Sequence, residues 1–272
     1  MARTSSLLLL CGLAACAHVT GDERRAQSVA DAERAFAADA QVRTVNDAFV
    51  TAFAADGIVF RPTPTNAQQA FAARPIPANL SLRWTPTIAE TSAAGDLGVT
   101  TGPSERGERG QATAGTGYFL SVWRAAGGKW NVVIDAGIDA PVPVSVEQAS
   151  STLSQRTLQP SPARSDDIEQ MRNDLMNMER TLIEDYPNLI REHGTSDVRI
   201  YRNGHVPTPT IGEAVGLVRA EGDIEWTPQA AFVSRSGDLG YVYGVAKSDR
   251  EAGYLRIWRN QNGSWKVAYD LR

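Results

Sequence analysis

Hydrophobic positions along the chain change from helical to strand-like spacing, and then do the same again. Val45, Phe49 and Phe53 recur at helical intervals in the first half, and a stripe with the same spacing contains Met171 and Leu175 in the second. Each stretch precedes shorter segments in which apolar and polar residues alternate, which is typical of strands with one buried face. The pattern predicts an α+β chain in which helices precede a sheet in each half.

Start and stop signals divide each half into the same series of elements. Ser28 with Asp31 resembles a capping box, so we expect a helix from residue 28 to about 40 and a second helix over 42–54. Asp166 with Glu169 starts the corresponding helix of the second half. Short helices are predicted over 67–73 and 212–219. Segments 126–129 and 261–264 predict the turns of two hairpins.

The two halves also share sequence. Residues 84–102 (WTPTIAETSAAGDLGVTTG) and 226–244 (WTPQAAFVSRSGDLGYVYG) align without a gap and are identical at ten of nineteen positions. All six tryptophans fall into matched pairs, which are Trp84/Trp226, Trp123/Trp258 and Trp130/Trp265. The chain therefore contains an internal repeat, and we expect each copy to fold as one domain.

Two segments interrupt the match between the copies. The separation of matched residues falls from 142 at Gly102/Gly244 to 135 at Phe119/Tyr254, so the first copy carries extra residues. We expect these in a solvated loop at 103–116. Residues 140–164 are rich in Pro, Ser and Gln, and we expect them to form a flexible linker.

The phrase Gly-Asp-Leu-Gly occurs once in each copy and predicts a hairpin turn followed by a bent strand. Alternation puts Leu239 and Tyr241 on one face of this strand and Gly240 and Val242 on the other. Glycine weakens a strand and usually marks a bend or a close approach. We therefore expect the sheet to curve around the helices on the glycine face.

The N-terminal sequence MARTSSLLLLCGLAAC has a basic residue, an apolar run and small residues before Cys16. The apolar run is too short to span a bilayer. The other cysteine of the chain, Cys11, lies within this segment, so Cys16 would have no disulfide partner after cleavage. An ordinary secretory signal that ends near a cysteine is the alternative interpretation.

Residues Leu13-Ala14-Ala15-Cys16 resemble the lipobox of bacterial lipoproteins. The resemblance implies that residues 1–15 are a lipoprotein signal peptide, that Cys16 carries the lipid and that 16–27 form a tether. Ala17, in place of Asp, implies sorting to the outer membrane. We therefore expect a lipoprotein on the periplasmic side of the bacterial cell envelope, with the membrane as its partner through lipidated Cys16.

A second resemblance covers nearly all of the remaining chain. It rests on Glu33-Arg34, on FRPTP at 60–64, on WTP at 84–86 and on the strings GDLGVTTG, GYFLSVWR and GKWNVVID. These motifs resemble the NTF2-like α+β cone, in its DUF4440 and SnoaL-like branch. The resemblance implies two tandem NTF2-like (cystatin-like) cones over 28–139 and 165–272, each with N-terminal helices packed on a strongly curved antiparallel sheet.

Isolated domains of this family commonly pair through the outer faces of their sheets. The resemblance therefore implies that the two copies pair within one chain. A flexible linker of this length could span about one small-domain diameter, and linking raises the effective concentration to roughly millimolar. We expect a monomer in which the two copies form an internal pseudo-dimer.

The open end of such a cone is the expected place for a ligand pocket. The candidate lining residues are Trp84, Asp135, Tyr201, Trp226, Tyr254 and Asp270. Asp135 and Asp270 end the last strand of each copy, where burial could raise a carboxyl pKa enough for general-base catalysis. They could instead be charge partners for Arg61 or Arg124 and their counterparts. A buried Asp without a cation would favour catalysis, and an Asp paired with Arg would favour binding.

Three functions stay open for an envelope protein of this kind. We favour non-catalytic binding of a small apolar ligand or of a partner. The alternatives are a pocket enzyme of the ketosteroid-isomerase or SnoaL-like type with an Asp general base, and a purely structural protein. The formal charge of −4, with Lys and Arg scattered, argues against nucleic acid. Three dispersed His residues and the absence of phosphate-loop motifs lead us to expect neither metal nor cofactor.

Overall fold

The computed structural model describes residues 21–143, 145–161 and 168–272. The first copy contains α1 (Gly21–Val42), α2 (Val45–Ala52), β1 (Phe53–Phe60), β2 (Pro64–Asn66), α3 (Ala67–Ala73), β3 (Leu80–Trp84), β4 (Ile88–Thr91), β5 (Leu97–Glu108), β6 (Thr113–Ala126) and β7 (Lys129–Asp139). Between the copies lie α4 (Val146–Ala149) and β8 (Ser154–Thr157). The second copy contains α5 (Ile168–Leu182), a 3-10 turn (Ile183–Asp185), α6 (Tyr186–His193), β9 (Gly194–Tyr201), α7 (Ile211–Arg219), β10 (Glu225–Val233), β11 (Leu239–Lys247), β12 (Glu251–Gln261) and β13 (Ser264–Leu271).

The two sheets share the order of their central strands. The first has the strand order β2-β1-β7-β6-β5-β4-β8, with β3 also paired to β5, and the second has the order β10-β11-β12-β13-β9. In each copy the strand that follows the helices runs parallel to the last strand, while the remaining pairs of the hairpins are antiparallel. The α+β class predicted from the hydrophobic pattern is confirmed.

Two predicted boundaries in the first copy are wrong. Helix α1 begins at Gly21 rather than at Ser28, so part of the expected tether is helical. The expected loop at 103–116 consists mostly of strand, because β5 and β6 continue their ladder through it. The extra residues lengthen this hairpin, and its added length pairs with β3 from Leu80↔Glu108 to Trp84↔Ser104. These extra residues are polar because one face of the strand is exposed to solvent. A loop would have the same polarity, so the sequence did not distinguish the two.

Residues 140–164 are not a uniformly flexible linker. A capping box at Ser145 starts α4, and β8 then pairs in parallel with β4, from Ile88↔Ser154 to Thr91↔Thr157. The segment thus adds an edge strand to the first sheet. The Pro and Ser content that suggested flexibility lies mainly outside these two short elements.

Both sheets curve around their helices at the glycines of the repeated phrase. A Cβ on Gly98 would lie 2.8 Å from Val29 of α1, and a Cβ on Gly240 would lie 2.9 Å from Leu175 of α5. Because no side chain would fit at these points, the strands can approach the helices closely. The prediction that the glycine face is turned towards the helices is confirmed.

Three large apolar clusters hold the structure together. One lies between α1, α2, α3 and the first sheet, and another between α5, α6, α7 and the second sheet. The third lies between the two sheets, on the faces opposite the helices, and contains Leu97 and Val99 of β5 with Leu239 and Tyr241 of β11. The two copies are therefore in direct contact through their sheets.

The repeated phrase also joins the copies by a reciprocal pair of contacts. The carboxylate of Asp238 accepts a hydrogen bond from the backbone N–H of Ala93 at 2.7 Å, and that of Asp96 accepts one from the N–H of Arg235 at 3.0 Å. Each Asp also accepts a hydrogen bond from the serine hydroxyl of its own turn. Matched turns thus contact each other in a two-fold-like manner.

Candidate ligand pocket

A cavity of about 280 Å³ lies in the first copy between α2, β3 and the helix-facing side of the sheet. We call it the first-copy cavity. Its lining is mostly apolar and consists of Val45, Phe49, Ile76, Leu80, Leu82, Trp84, Ser104, Phe119, Asp135, Ala136 and Gly137. Apolar walls with few polar groups are typical of small-molecule sites, in which the polar group fixes the orientation of the ligand.

Among the residues that the structure describes, Asp135 has the only ionisable side chain that lines this cavity. Strand alternation on β7 directs it to the helix side, where it is half-buried because it faces the cavity. The hydroxyl of Ser121, its cross-strand neighbour on β6, donates a hydrogen bond to Oδ2 at 2.8 Å. Among the described residues, no Lys or Arg forms an ion pair with Asp135, and Ser121 is the one hydrogen-bonding partner of its side chain.

A second acid lies behind the cavity. Glu33 of α1 is fully buried and accepts hydrogen bonds from the indole of Trp84 at 2.5 Å and the hydroxyl of Thr100 at 2.5 Å. The indole of Trp123 donates to it at 2.9 Å. All three donors are neutral, so the negative charge of Glu33 also has no countercharge in this group of contacts.

These surroundings change the acidity of both side chains. Burial raises the pKa of Asp135 to about 7, and the neighbouring charge of Glu33 adds to the rise, while the hydrogen bond from Ser121 opposes it. Burial likewise raises the pKa of Glu33 against the hydrogen bonds from Thr100 and Trp84. Asp135 can therefore exchange a proton near neutral pH, as a general acid or base must.

Replacing Asp135 with Asn is expected to stabilise the protein at high pH only. The folded-state pKa of about 7 lies above the ordinary aspartate pKa of 3.8, so wild-type stability falls as pH rises between these values. The amide has no charge to desolvate, and at pH 8 we expect Asp135→Asn to be more stable by about 3 kcal/mol. Urea unfolding at pH 4 and pH 8 measures this. The exposed Asp249→Asn is the control, and an equal effect of Asp135→Asn at both pH values would contradict the assignment.

In the second copy, the corresponding acids form ion pairs with a buried arginine. At the position of Ser121 it has Arg256, which pairs with Asp270 across β12 and β13 as Ser121 pairs with Asp135. The fully buried guanidinium donates to Asp270 at 2.6 Å and also to Glu179 of α5. Three aromatic rings surround it, with centroids 5.1–5.2 Å away, and these belong to Tyr186, Trp226 and Tyr254.

The carboxyl of Asp270 consequently has a lowered pKa. Burial by itself would raise its pKa, but the charges of Arg256 and Arg202 outweigh burial and hold the pKa at about 2. Arg202 forms an ion pair with Asp270 at 2.8 Å, and the hydroxyl of Tyr186 donates to the same carboxylate at 2.8 Å. The expected pairing of an Asp with a nearby Arg therefore occurs in the second copy. In the first copy, Arg61 instead donates to the carbonyl of Arg74.

The structure brings some of the sequence-predicted pocket residues together and separates others. Trp84 and Asp135 both line the first-copy cavity. Trp226 and Tyr254 pack edge to face, 5.0 Å apart, beside Arg256, and Trp226 also borders a polar cleft of about 330 Å³. Tyr201 lies elsewhere, in the cluster between the sheets, with its hydroxyl 2.9 Å from that of Thr101. The predicted lipid-attachment residue, Cys16, lies outside the described residues.

Sequence reasoning missed Glu33 and Glu179 as interior acids, and it missed the exchange of Ser121 for Arg256. The signals were present, since a Glu-Arg pair occurs on the first helix of each copy and the alignment places serine opposite arginine. A helical glutamate, however, is normally solvent-exposed, and only the depth of the helix within the curved sheet buries these two.

Within residues 21–143, 145–161 and 168–272, no group of His, Cys, Asp and Glu side chains has the geometry to hold a metal ion. No helix in the same part of the chain is both long and apolar enough to cross a membrane.

No protein-family model matches the chain, and no curated protein matches it. Some solved structures resemble part of it. A protein provisionally called a ketosteroid isomerase, from Shewanella frigidimarina, is 13% identical over 38% of this chain and 95% of its own, with a TM-score of 0.31. An NTF-2 like protein of unknown function from Shewanella oneidensis is 12% identical over 39% and 96%, with a TM-score of 0.27. A protein of unknown function with a cystatin-like fold, from Nostoc punctiforme, is 15% identical over 43% and 92%, with a TM-score of 0.29.

Proposed function

We propose that the first copy binds a small, mostly apolar molecule in the first-copy cavity, with Asp135 as its polar anchor. The observation that carries this proposal is a carboxyl that faces apolar walls without a countercharge. An ionised carboxylate in such a place is costly unless a partner binds it. A ligand that donates a hydrogen bond to Asp135 and packs an apolar group against Trp84 and Leu82 would offset this cost.

The second copy has a supporting role in this proposal. Its interior contains the ion pairs of Arg256 and Arg202 in place of a matching apolar cavity. Its sheet covers the outer face of the first sheet and so excludes water from the strands that carry Asp135 and Ser121. A cavity in one copy and ion pairs in the other are what we expect when a domain is duplicated and one of the two interiors then diverges.

Proton transfer is a second candidate function of the same site. It is favoured by the pKa of about 7 at Asp135, which lets the carboxylate take a proton from a bound substrate and return it at another position. The hydroxyl of Ser121 would hold Oδ2 and leave Oδ1 free to accept the proton. Substrate turnover that is lost in Asp135→Asn while ligand binding persists would distinguish this function from binding alone.

Protein-observed NMR with the neutral probe benzylurea tests the binding proposal. We expect shifts of the Trp84 indole resonance and of the Leu80 and Leu82 methyls. In Gly137→Leu these shifts should weaken, because the new side chain projects from the same face of β7 as Asp135, where a Cβ meets only one carbonyl oxygen at 3.3 Å. Gly216→Leu on α7, where a Cβ has open space, is the matched control. Probe shifts outside the cavity, or none at all, would contradict the proposal.

We propose two tandem NTF2-like domains of the DUF4440 or SnoaL-like kind, supported by the sequence repeat and by the matching order of strands around the helices. We propose a monomer in which the copies form an internal pair, supported by the apolar cluster between the sheets and the reciprocal turn contacts. Sedimentation should show a single species with the mass of one chain, and a stable dimer at micromolar concentration would contradict this.

Membrane anchoring through Cys16 is proposed from the lipobox-like sequence, with the outer membrane of the envelope as the site. We expect Cys16→Ala to move the protein from the membrane fraction to the detergent-free soluble fraction, because the thioether-linked lipid would be lost. Fractionation followed by detection of the protein measures this. Unchanged membrane retention of the variant would show that Cys16 is not the anchor.

A further inference from the structure

The interior of the second copy resembles a ligand site that is occupied by a side chain of the same protein. The guanidinium of Arg256 contacts the Asp270 carboxylate and stacks against Trp226 and Tyr254. Aromatic faces and a carboxylate together form a favourable environment for a cation, since both present negative charge to it. In the second copy the chain itself provides that cation.

The matched residues of the first copy line the first-copy cavity. Asp135 corresponds to Asp270, Trp84 to Trp226 and Phe119 to Tyr254, and all three of the first-copy residues face the cavity. A third ring comes from the second helix of each copy, Phe49 on α2 and Tyr186 on α6. The first-copy cavity is therefore surrounded by the same kinds of residue as the buried guanidinium of Arg256. Ser121 occupies the position that matches Arg256.

We propose that the ligand of the first-copy cavity carries a guanidinium or amine cation, which Asp135 and the aromatic walls bind as their counterparts bind Arg256. This inference rests on the proposed binding function and specifies the chemical class of the ligand. The cation would donate a charge-assisted hydrogen bond to Oδ1 of Asp135, the oxygen that Ser121 leaves free. The remainder of the ligand would be short and apolar, to match Leu80, Leu82 and Ile76.

The charges around Asp135 determine how binding depends on pH. Glu33 of α1 is the charged group whose field reaches it. On neighbouring β1 and β6, Asp56 and Arg124 form an ion pair with each other at 2.6 Å, in which the Asp56 side chain is exposed and that of Arg124 is half-buried. A bound cation therefore favours ionised Asp135 and releases its proton, so affinity should rise with pH. A neutral ligand that accepts a hydrogen bond from protonated Asp135 would show the opposite trend.

A matched pair of probes tests the charge requirement. Benzylguanidinium and benzylurea have nearly the same shape, but only the former is a cation, and its charge persists across the accessible pH range. In calorimetric titrations of the purified protein near pH 8.5, we expect benzylguanidinium to bind about tenfold more tightly than benzylurea. Between pH 5.5 and 8.5 its affinity should rise about thirtyfold, with proton release on binding at the lower pH values.

Two variants keep the test decisive. Asp135→Asn should abolish both the preference for benzylguanidinium and its pH dependence, so that the two probes bind this variant with similar affinities. Ser121→Arg should supply the cation internally, as the second copy does, and remove binding of benzylguanidinium. Because Ser121→Arg is a large change in a packed interior, thermal unfolding must first show that it folds. Otherwise Asp135→Asn alone decides the outcome.

The possible results separate the inference from the proposed function. Equal affinities of the two probes, or tighter binding of benzylurea, would overturn the cation inference and leave the cavity as a binding site for neutral molecules. Failure of both probes to bind would overturn the inference and the proposed function together. Tighter binding of benzylguanidinium that persists in Asp135→Asn would place the cation elsewhere and also overturn the inference.

Discussion

Replacing Arg256 with Ser is expected to destabilise the protein by about 3–5 kcal/mol, the range seen when one partner of a buried ion pair is removed. The substitution gives the second copy the residue that the first copy has at this position, Ser121. It leaves Glu179 without its cation and Asp270 with Arg202 alone. It also leaves space between Tyr186, Trp226 and Tyr254, which adds a packing cost.

Chemical denaturation at pH 7 measures this effect, with exposed Arg250→Ser as the control. The loss should shrink at pH 4, because protonation of Glu179 then removes part of the unpaired charge. Millimolar methylguanidinium should restore part of the stability, since it can occupy the space of the missing side chain. A change below about 1 kcal/mol would mean that the buried ion pairs contribute little beyond the cost of their desolvation.

Replacing Glu90 with Gln is expected to cost about 3 kcal/mol, because it removes a buried charge shared by the two sheets. Glu90 lies on β4 of the first sheet and is fully buried. Arg259 of the second sheet donates to it at 2.8 Å through Nε and again through a second guanidinium nitrogen. The hydroxyl of Tyr269 donates to the same carboxylate, and Arg156 of β8 forms an ion pair with it at 3.1 Å.

The position of Glu90 makes its effect distinguishable from an ordinary core substitution. Because the partners belong to both copies and to the segment between them, Glu90→Gln should lower the cooperativity between the sheets. Hydrogen exchange should show faster exchange at β4 and β12, while the amides of β7 and of α5 keep most of their protection. Glu108→Gln, at the exposed end of β5, is the control. Uniform loss of protection throughout the protein would mean that the two copies unfold as one unit.

Local sequence patterns predicted much of the fold. The short helix predicted over 67–73 coincides with α3, and the turns predicted at 126–129 and 261–264 lie where β6 joins β7 and β12 joins β13. These features depend on nearby residues alone, namely capping side chains and glycine-containing turns. The repeat predicted that the two copies share one series of elements, since a phrase that occurs twice must suit the same curved strand twice.

The interior of each copy could not be predicted in the same way. Asp135 and Asp270 occupy equivalent positions on equivalent strands, yet one faces an apolar cavity and the other binds two arginines. The difference arises from one residue on the adjacent strand, Ser121 or Arg256, and from the direction in which Arg61 and Arg202 point. Such cross-strand relations require the register of the sheet, which a single sequence does not supply.

The proposed ligand site depends on the contrast between these two carboxyls, which an NMR titration can measure. Carboxyl-carbon resonances of Asp135 and Asp270 can be followed through a single pH titration of the same protein, so each serves as a reference for the other. We expect Asp135 to titrate near pH 7 and Asp270 to titrate near pH 2. Titration of both side chains below pH 4 would contradict this expectation, because the surroundings of Asp135 would then not raise its pKa.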